Sequence, residues 1–170
     1  MEGLSHVPEI VDLRACPESI PAVAAWLFEA FHTFSPGLAE LDFARQLEDS
    51  CADEGMPCSL VAIQDGRPVG TASVVESDLH QRVQYSPWLS CVYVVPGMRG
   101  CGVGSRLVER AMQVASRLGA DRMFLYTRSA QNLYQQLGWS VLERLVHHGT
   151  WVSVMQKQLR IRGDTSGSRS

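Results

Sequence analysis

The stretch with the clearest chemical consequence runs from Val92 to Arg106, Val-Tyr-Val-Val-Pro-Gly-Met-Arg-Gly-Cys-Gly-Val-Gly-Ser-Arg. An apolar strand pattern leads into a turn holding Gly97, Gly100, Gly102 and Gly104, and a helical pattern begins at Gly104. Such a turn leaves backbone N–H groups without partners at the start of a helix, and those groups suit a phosphate. Glycine serves there because a bulky side chain would hold the backbone away from the anion. The two commonest nucleotide signatures fail on their defining residues. A dinucleotide fingerprint needs a glycine where Ser105 or Leu107 stands, and a P-loop needs Gly-Lys-Ser/Thr where Gly104 is followed by Ser105-Arg106. A glycine-rich turn with no ligand is the remaining alternative.

Those amides need a strand behind them and a helix ahead, and the rest of the chain supplies the frame. Alternation over 9–15 predicts a strand. Ile20, Val23, Ala24, Leu27, Phe28 and Phe31 recur at helical spacing with Ser19 as N-cap, and a second helix is expected over 38–50. Strands follow at Ser59–Gln64 and Val69–Val75, joined by the hairpin turn Asp65-Gly66, and at Trp88–Val95 after a polar loop. Leu107, Val108, Ala111, Ala115 and Leu118 mark an amphipathic helix closed by Gly119. A strand at Arg122–Thr127, a short helix at Ala130–Leu137 and a hairpin of Val141–Val146 with Trp151–Gln158, turning near His148-Gly149, complete the order. This reads as one α/β (α+β) domain over 1–160, with a mobile tail over 161–170.

Arg99-Gly-Cys-Gly102-Val-Gly104 fits R/Q-x-x-G-x-G/A, and Leu133-Tyr134-Gln-Gln-Leu137-Gly138-Trp139 fits L-Y-x-x-L-G-F/W. The two motifs, one helix and one strand apart, resemble those of the GCN5-related N-acetyltransferase (GNAT) superfamily, over roughly residues 9 to 159. The resemblance implies a mixed, mostly antiparallel sheet of six or seven strands with helices on both faces. It implies direct transfer of acetyl from acetyl-CoA, the co-substrate, to a primary amine. By position, the backbone of Val92, Tyr93 and Val94 would bind the pantetheine arm and, near a splay between two strands, the thioester oxygen. Gly100, Cys101, Gly102, Val103, Gly104 and Ser105 would cradle the pyrophosphate, with Arg99 at the entrance. Tyr134 would protonate the departing thiolate; a core or helix-capping phenol is the alternative.

Two departures from the family pattern matter. Thr127 stands where many relatives have a cofactor-contacting Asn, and Asn132 is out of register. The strand Trp88–Val95 holds no Asp or Glu, so the general base is not assigned by resemblance. A base is still required, because a free amine with a pKa of about 10 is mostly protonated at neutral pH. Glu76, Asp78 and His80 before that strand, and Glu29 or His32 on the first helix, are the candidates. His147-His148 is rejected as a metal pair, since neighbours in a strand point to opposite faces.

Glu40, Asp42, Glu48, Asp49, Asp53 and Glu54 stand against Arg45 alone, and an acidic wall would draw in a cationic amine; an ordinary solvated helix face is the alternative. The whole chain of 170 residues carries a formal charge of -3, which argues against a nucleic-acid partner. Its five cysteines form no C-x-x-C pair, so no zinc ribbon or redox motif is supported, and they are expected to be buried thiols in a reducing cytoplasm. Met1–Pro8 does not read as a secretory signal, and no apolar stretch is long enough to span a bilayer. No metal is expected, and a homodimer is compatible with the sequence. Two other functions stay open: a protein N-terminal or lysine acetyltransferase, and a non-catalytic acyl-CoA-binding sensor.

Overall fold

Two tight turns organise the sheet of the computed structural model, which describes residues 6–159. Asp65-Gly66 (φ 50° and 74°) closes the hairpin of β2 (Cys58–Gln64) and β3 (Arg67–Val75). His148-Gly149 (φ 47° and 73°) does the same for β6 (Ser140–His147) and β7 (Thr150–Gln158). Left-handed backbone at both turn positions matches the twist of an antiparallel pair. With β1 (Glu9–Asp12), β4 (Trp88–Val94) and β5 (Arg122–Thr127), the strands form one seven-stranded sheet in the order β1-β2-β3-β4-β5-β7-β6. Every neighbouring pair is antiparallel except β4 with β5. The mixed α/β architecture is the expected one. The tail expected over 161–170 lies outside the described residues.

Helices cover both faces. On one, α1 (Ile20–Phe31) and α2 (Glu40–Asp49) bury Val23, Leu27, Phe43 and Leu47 together with Val61 of β2. On the other, α3 (Val103–Arg117) lays Leu107, Val108 and Ala111 against Leu60, Val74 and Leu125, and α4 (Gln131–Gln136) adds Tyr134. Each fully buried large aliphatic side chain contributes roughly 1.5–3 kcal/mol, so these two layers fix where β4 lies. Close seating of α3 depends on Gly70, where a Cβ would meet Leu107 Cδ1 and the Tyr93 carbonyl at 3.0 Å. A third cluster, with Trp88, Phe124 and Val154 at its centre, underlies the loop after β3, and Tyr85 stacks on Phe124 at 4.7 Å. Lys157 of β7 donates its ammonium to the Leu137 carbonyl at 2.5 Å, tying the end of α4 to the sheet.

Local departures from expectation have local causes. The strand expected over 9–15 stops at Asp12, whose carboxylate accepts the Arg14 N–H at 2.9 Å and turns Leu13–Ala15 into a 3-10 helix. Ser19 makes no capping bond, because it already has helical dihedrals at the end of the 3-10 turn Pro17–Ser19. The helix expected over 38–50 begins at Glu40, where the Asp42 carboxylate accepts the Ala39 N–H at 2.8 Å. Cys101, expected to be buried, is exposed, since it sits on the glycine turn outside both apolar layers.

Candidate active site

The parallel pair β4 and β5 is joined at its start only: Trp88 faces Phe124, and the Phe124 N–H donates to the Pro87 carbonyl at 3.0 Å. Past that point the strands part, and a cleft opens between Ser90–Val92 and Leu125–Thr127. This is the splay the sequence resemblance implied. β4 is also bulged. Thr71 pairs with Tyr93 and Ser73 with Ser90, so Cys91 and Val92 together oppose Ala72, and Cys91 takes a φ of 54°. Backbone polar groups on the parted edge of β4 lack a strand partner, and an extended ligand could take that place. Beyond the bulge, Tyr93 turns to the α1 face, where its ring stacks on Trp26 at 5.7 Å beneath the Arg99 guanidinium at 5.5 Å. Val92 and Val94 turn to the α3 face.

The glycine turn follows directly. Arg99 Nε donates to the Val94 carbonyl at 3.0 Å, and Gly100 and Gly102 adopt φ of 76° and 81°. Gly102 is the residue before α3, and its carbonyl accepts the helix's first bond, from the Arg106 N–H at 3.1 Å. The N–H groups of Val103, Gly104 and Ser105 therefore precede that bond, and no side chain caps the helix. Gly104 does not need glycine for its backbone: a Cβ there would meet only Val94 Cγ2, at 3.6 Å. Its effect is to leave the approach to the neighbouring amides bare. Gly100, Cys101 and Ser105 stand on the exposed side of the same turn, or at its edge.

The cleft has a volume of about 1010 Å³ and takes lining from both helical layers and from the β6–β7 turn. Tyr134 lines it, packed edge-on against Trp139 at 6.1 Å, and burial pushes its phenol up to about 12. Thr127 uses its hydroxyl to accept the Ala130 N–H at 3.0 Å and so shapes the start of α4. Asn132 is exposed and does not line this cleft.

Of the base candidates, Glu76, Asp78 and His80 line the cleft. Glu29 and His32 do not; Glu29 is exposed and His32 Nδ1 lies 2.8 Å from the Phe28 carbonyl oxygen. Of the six carboxylates expected to form an acidic wall, only Asp49 reaches the cleft, and Asp42 is occupied in starting α2. The argument that separated His147 from His148 does not hold. His148 leaves the strand with a φ of 47°, which brings the two rings to 4.0 Å, and His80 lies 5.6 Å from His147. Among the described residues, no group of three or more His, Cys, Asp or Glu is arranged to hold a metal ion. One contact had no sequence signal: the Arg128 guanidinium lies over the Phe34 ring at 3.4 Å, joining the loop after β5 to the loop after α1 at the cleft.

Known proteins resemble the chain throughout this region. An N-acetyltransferase of Mycobacterium tuberculosis, itself uncharacterised, is 30% identical over 131 residues, 75% of this chain and 74% of that protein. Another from Bacillus subtilis, YhfO, is 25% identical over 142 residues, 81% of this chain and 95% of its own length. The fold is shared with YncA of Salmonella typhimurium, solved with acetyl-CoA, at a TM-score of 0.69 and 22% identity over 91% of this chain and 95% of that one. The model of the acetyltransferase (GNAT) family matches residues 20–139, which span β4, the glycine turn, α3 and Tyr134. The chain belongs to the GNAT family of acetyltransferases.

Proposed function

We propose that residues 1–160 form one N-acetyltransferase domain that transfers acetyl from acetyl-CoA directly to a primary amine, with a small cationic molecule as the acceptor. The observation that carries this reading is the continuity of one strand edge. The parted edge of β4 begins in a cleft beside a buried phenol and ends in a turn of unpartnered amides. The amides from Gly100 to Ser105 would hold the pyrophosphate, with Arg99 adding charge at the entrance. The backbone of Val92, Tyr93 and Val94 would bind the pantetheine arm as an added strand, and a β4 N–H at the splay would polarise the thioester carbonyl. Tyr134, kept protonated by its burial, would give a hydrogen bond and then a proton to the departing sulfur.

The cationic acceptor is supported by Asp49, Glu76 and Asp78, which line the cleft with Arg128 as the arginine among them. Five free thiols suit a cytoplasmic setting. CoA release measured against polyamines, aminoglycosides and peptides tests the proposal. Turnover of the small cations is expected. Turnover of peptides alone would instead make the protein an N-terminal or lysine acetyltransferase, and tight acetyl-CoA binding without turnover would make it a sensor.

A further inference from the structure

We infer that Asp78 is the general base of this site, taking the proton of the incoming ammonium where β4 leaves β5. The inference rests on the transferase reading above. Asp78 follows β3 in sequence, next to the fully buried Leu79, and it lines the cleft with Ser90 and Cys91 of β4 and Tyr126 of β5. Ser90 immediately precedes the bulged Cys91, so the carboxylate shares the wall of the cleft with the bulge of β4, where the splay begins. The Tyr126 phenol of β5 lines the same cleft; both Tyr126 and the Cys91 thiol are pushed upward by burial first and then by the charge of Asp78. Three elements therefore meet around one carboxylate at the wall of the cleft.

The remaining ionisable groups of the cleft are placed differently. Glu76, Asp49, His80, His148 and Arg128 are exposed, and His147 is half-buried against its neighbouring histidines. Asp78 is half-buried, and loss of hydration raises its carboxyl to about 6, with the Ser90 hydroxyl opposing that rise. Such a group is a stronger base than an exposed carboxylate and is still mostly ionised at neutral pH. The ammonium gives one proton to Asp78, and the neutral nitrogen forms its bond to the acetyl carbon. As the C–S bond breaks, the second nitrogen proton is lost and the thiolate is protonated. Amide, CoA thiol and the one proton held by Asp78 account for all atoms and charge.

The test is Asp78→Asn, which keeps the shape of the side chain and removes its charge and basicity. With saturating spermidine at pH 7, where attraction of the cation no longer counts, kcat should fall about a hundredfold and its acid limb near pH 6 should vanish, with acetyl-CoA affinity unchanged. Hydroxylamine, already neutral at pH 7, should be acetylated at the wild-type rate. An unchanged spermidine profile, or an equal loss with hydroxylamine, would overturn the assignment while leaving the transferase reading intact. Carboxyl NMR of the wild-type protein gives an answer independent of turnover: Asp78 should titrate near pH 6, and titration with the ordinary carboxylates would sink the idea. A wild-type protein that acetylates no amine would remove the transferase reading itself, and with it the assignment of a base.

Discussion

The two ends of β4 are equipped by different means. After Val94, recognition is offered by backbone: consecutive amides whose directions are set by left-handed dihedrals at Gly100 and Gly102. Before Val92, it is offered by side chains drawn from separate elements, with Asp78 from the loop after β3, Tyr126 from β5, Tyr134 from α4 and Phe34 from the loop after α1. A backbone cradle depends on a few adjacent residues and fits one kind of ligand group. A side-chain cleft can exchange a single loop residue without moving the strand beneath it. On the proposed reading, the first arrangement would hold the common donor group, and the second could be adjusted to an acceptor.

Mutations should separate the two ends. The largest effect is expected at the cleft. Tyr134→Phe keeps the edge-on packing against Trp139 and removes the donor, so kcat should fall roughly ten- to a thousandfold, about 1.4 to 4 kcal/mol, with acetyl-CoA affinity nearly unchanged. Wild-type kcat under chemistry-limited conditions would make Tyr134 a packing residue. Stability should move the other way at Asp78. Its folded pKa of about 6 lies above the ordinary 3.8, so the folded state binds a proton more readily than the unfolded one. Stability is then greatest below pH 3.8 as far as this group decides it, and declines as pH rises to about 6. Asp78→Asn should therefore stabilise the protein at pH 7 by about 1–3 kcal/mol, a gain that disappears in melts below pH 4.

At the other end of β4, Gly104→Val should leave the melting temperature close to wild type, because its nearest neighbour leaves room at 3.6 Å. It should nonetheless weaken CoA at least tenfold, about 1.4 kcal/mol, by screening the amides. Gly102→Val adds the strain of a φ of 81°, about 1–2 kcal/mol, and should lower both affinity and melting temperature. Calorimetry and thermal melts on the pair distinguish a bare approach from a strained turn. The smallest effect is expected from Asp49→Asn with Glu76→Gln, both exposed at the cleft. KM for a polyamine should rise about two- to fivefold, and the difference should shrink in high salt. A salt-independent change would mean direct contact in place of steering.

The same division decides how much could be read from the sequence. The glycine turn, the hairpins at Asp65-Gly66 and His148-Gly149 and the amphipathic α3 are specified by neighbouring residues, so their patterns are local and legible. Helix starts were less so, because Asp12 and Asp42 form side-chain bonds that redirect the backbone where hydrophobic spacing alone pointed elsewhere. The cleft was the least legible part. The sequence nominated Asp78 among five candidates, and selecting it required knowing that Ser90 and Tyr126 meet it across a parallel pair that parts after one bridge. The bulge at Cys91 left no trace, since the residue with positive φ there is not a glycine.

Lys157, whose ammonium is tied to the Leu137 carbonyl, has a further consequence. The chain contains fourteen arginines and this one lysine. A thioester acylates free amines without help, and guanidinium groups, which stay protonated, resist it. A catalyst that keeps an activated acetyl group at its surface is exposed to damage by its own reagent. Here positive charge is carried almost wholly by side chains that the reagent does not modify, and the single ε-amine is half-buried with its proton engaged. The composition that supplies the chain's positive charge thus also makes it a poor substrate for acetylation.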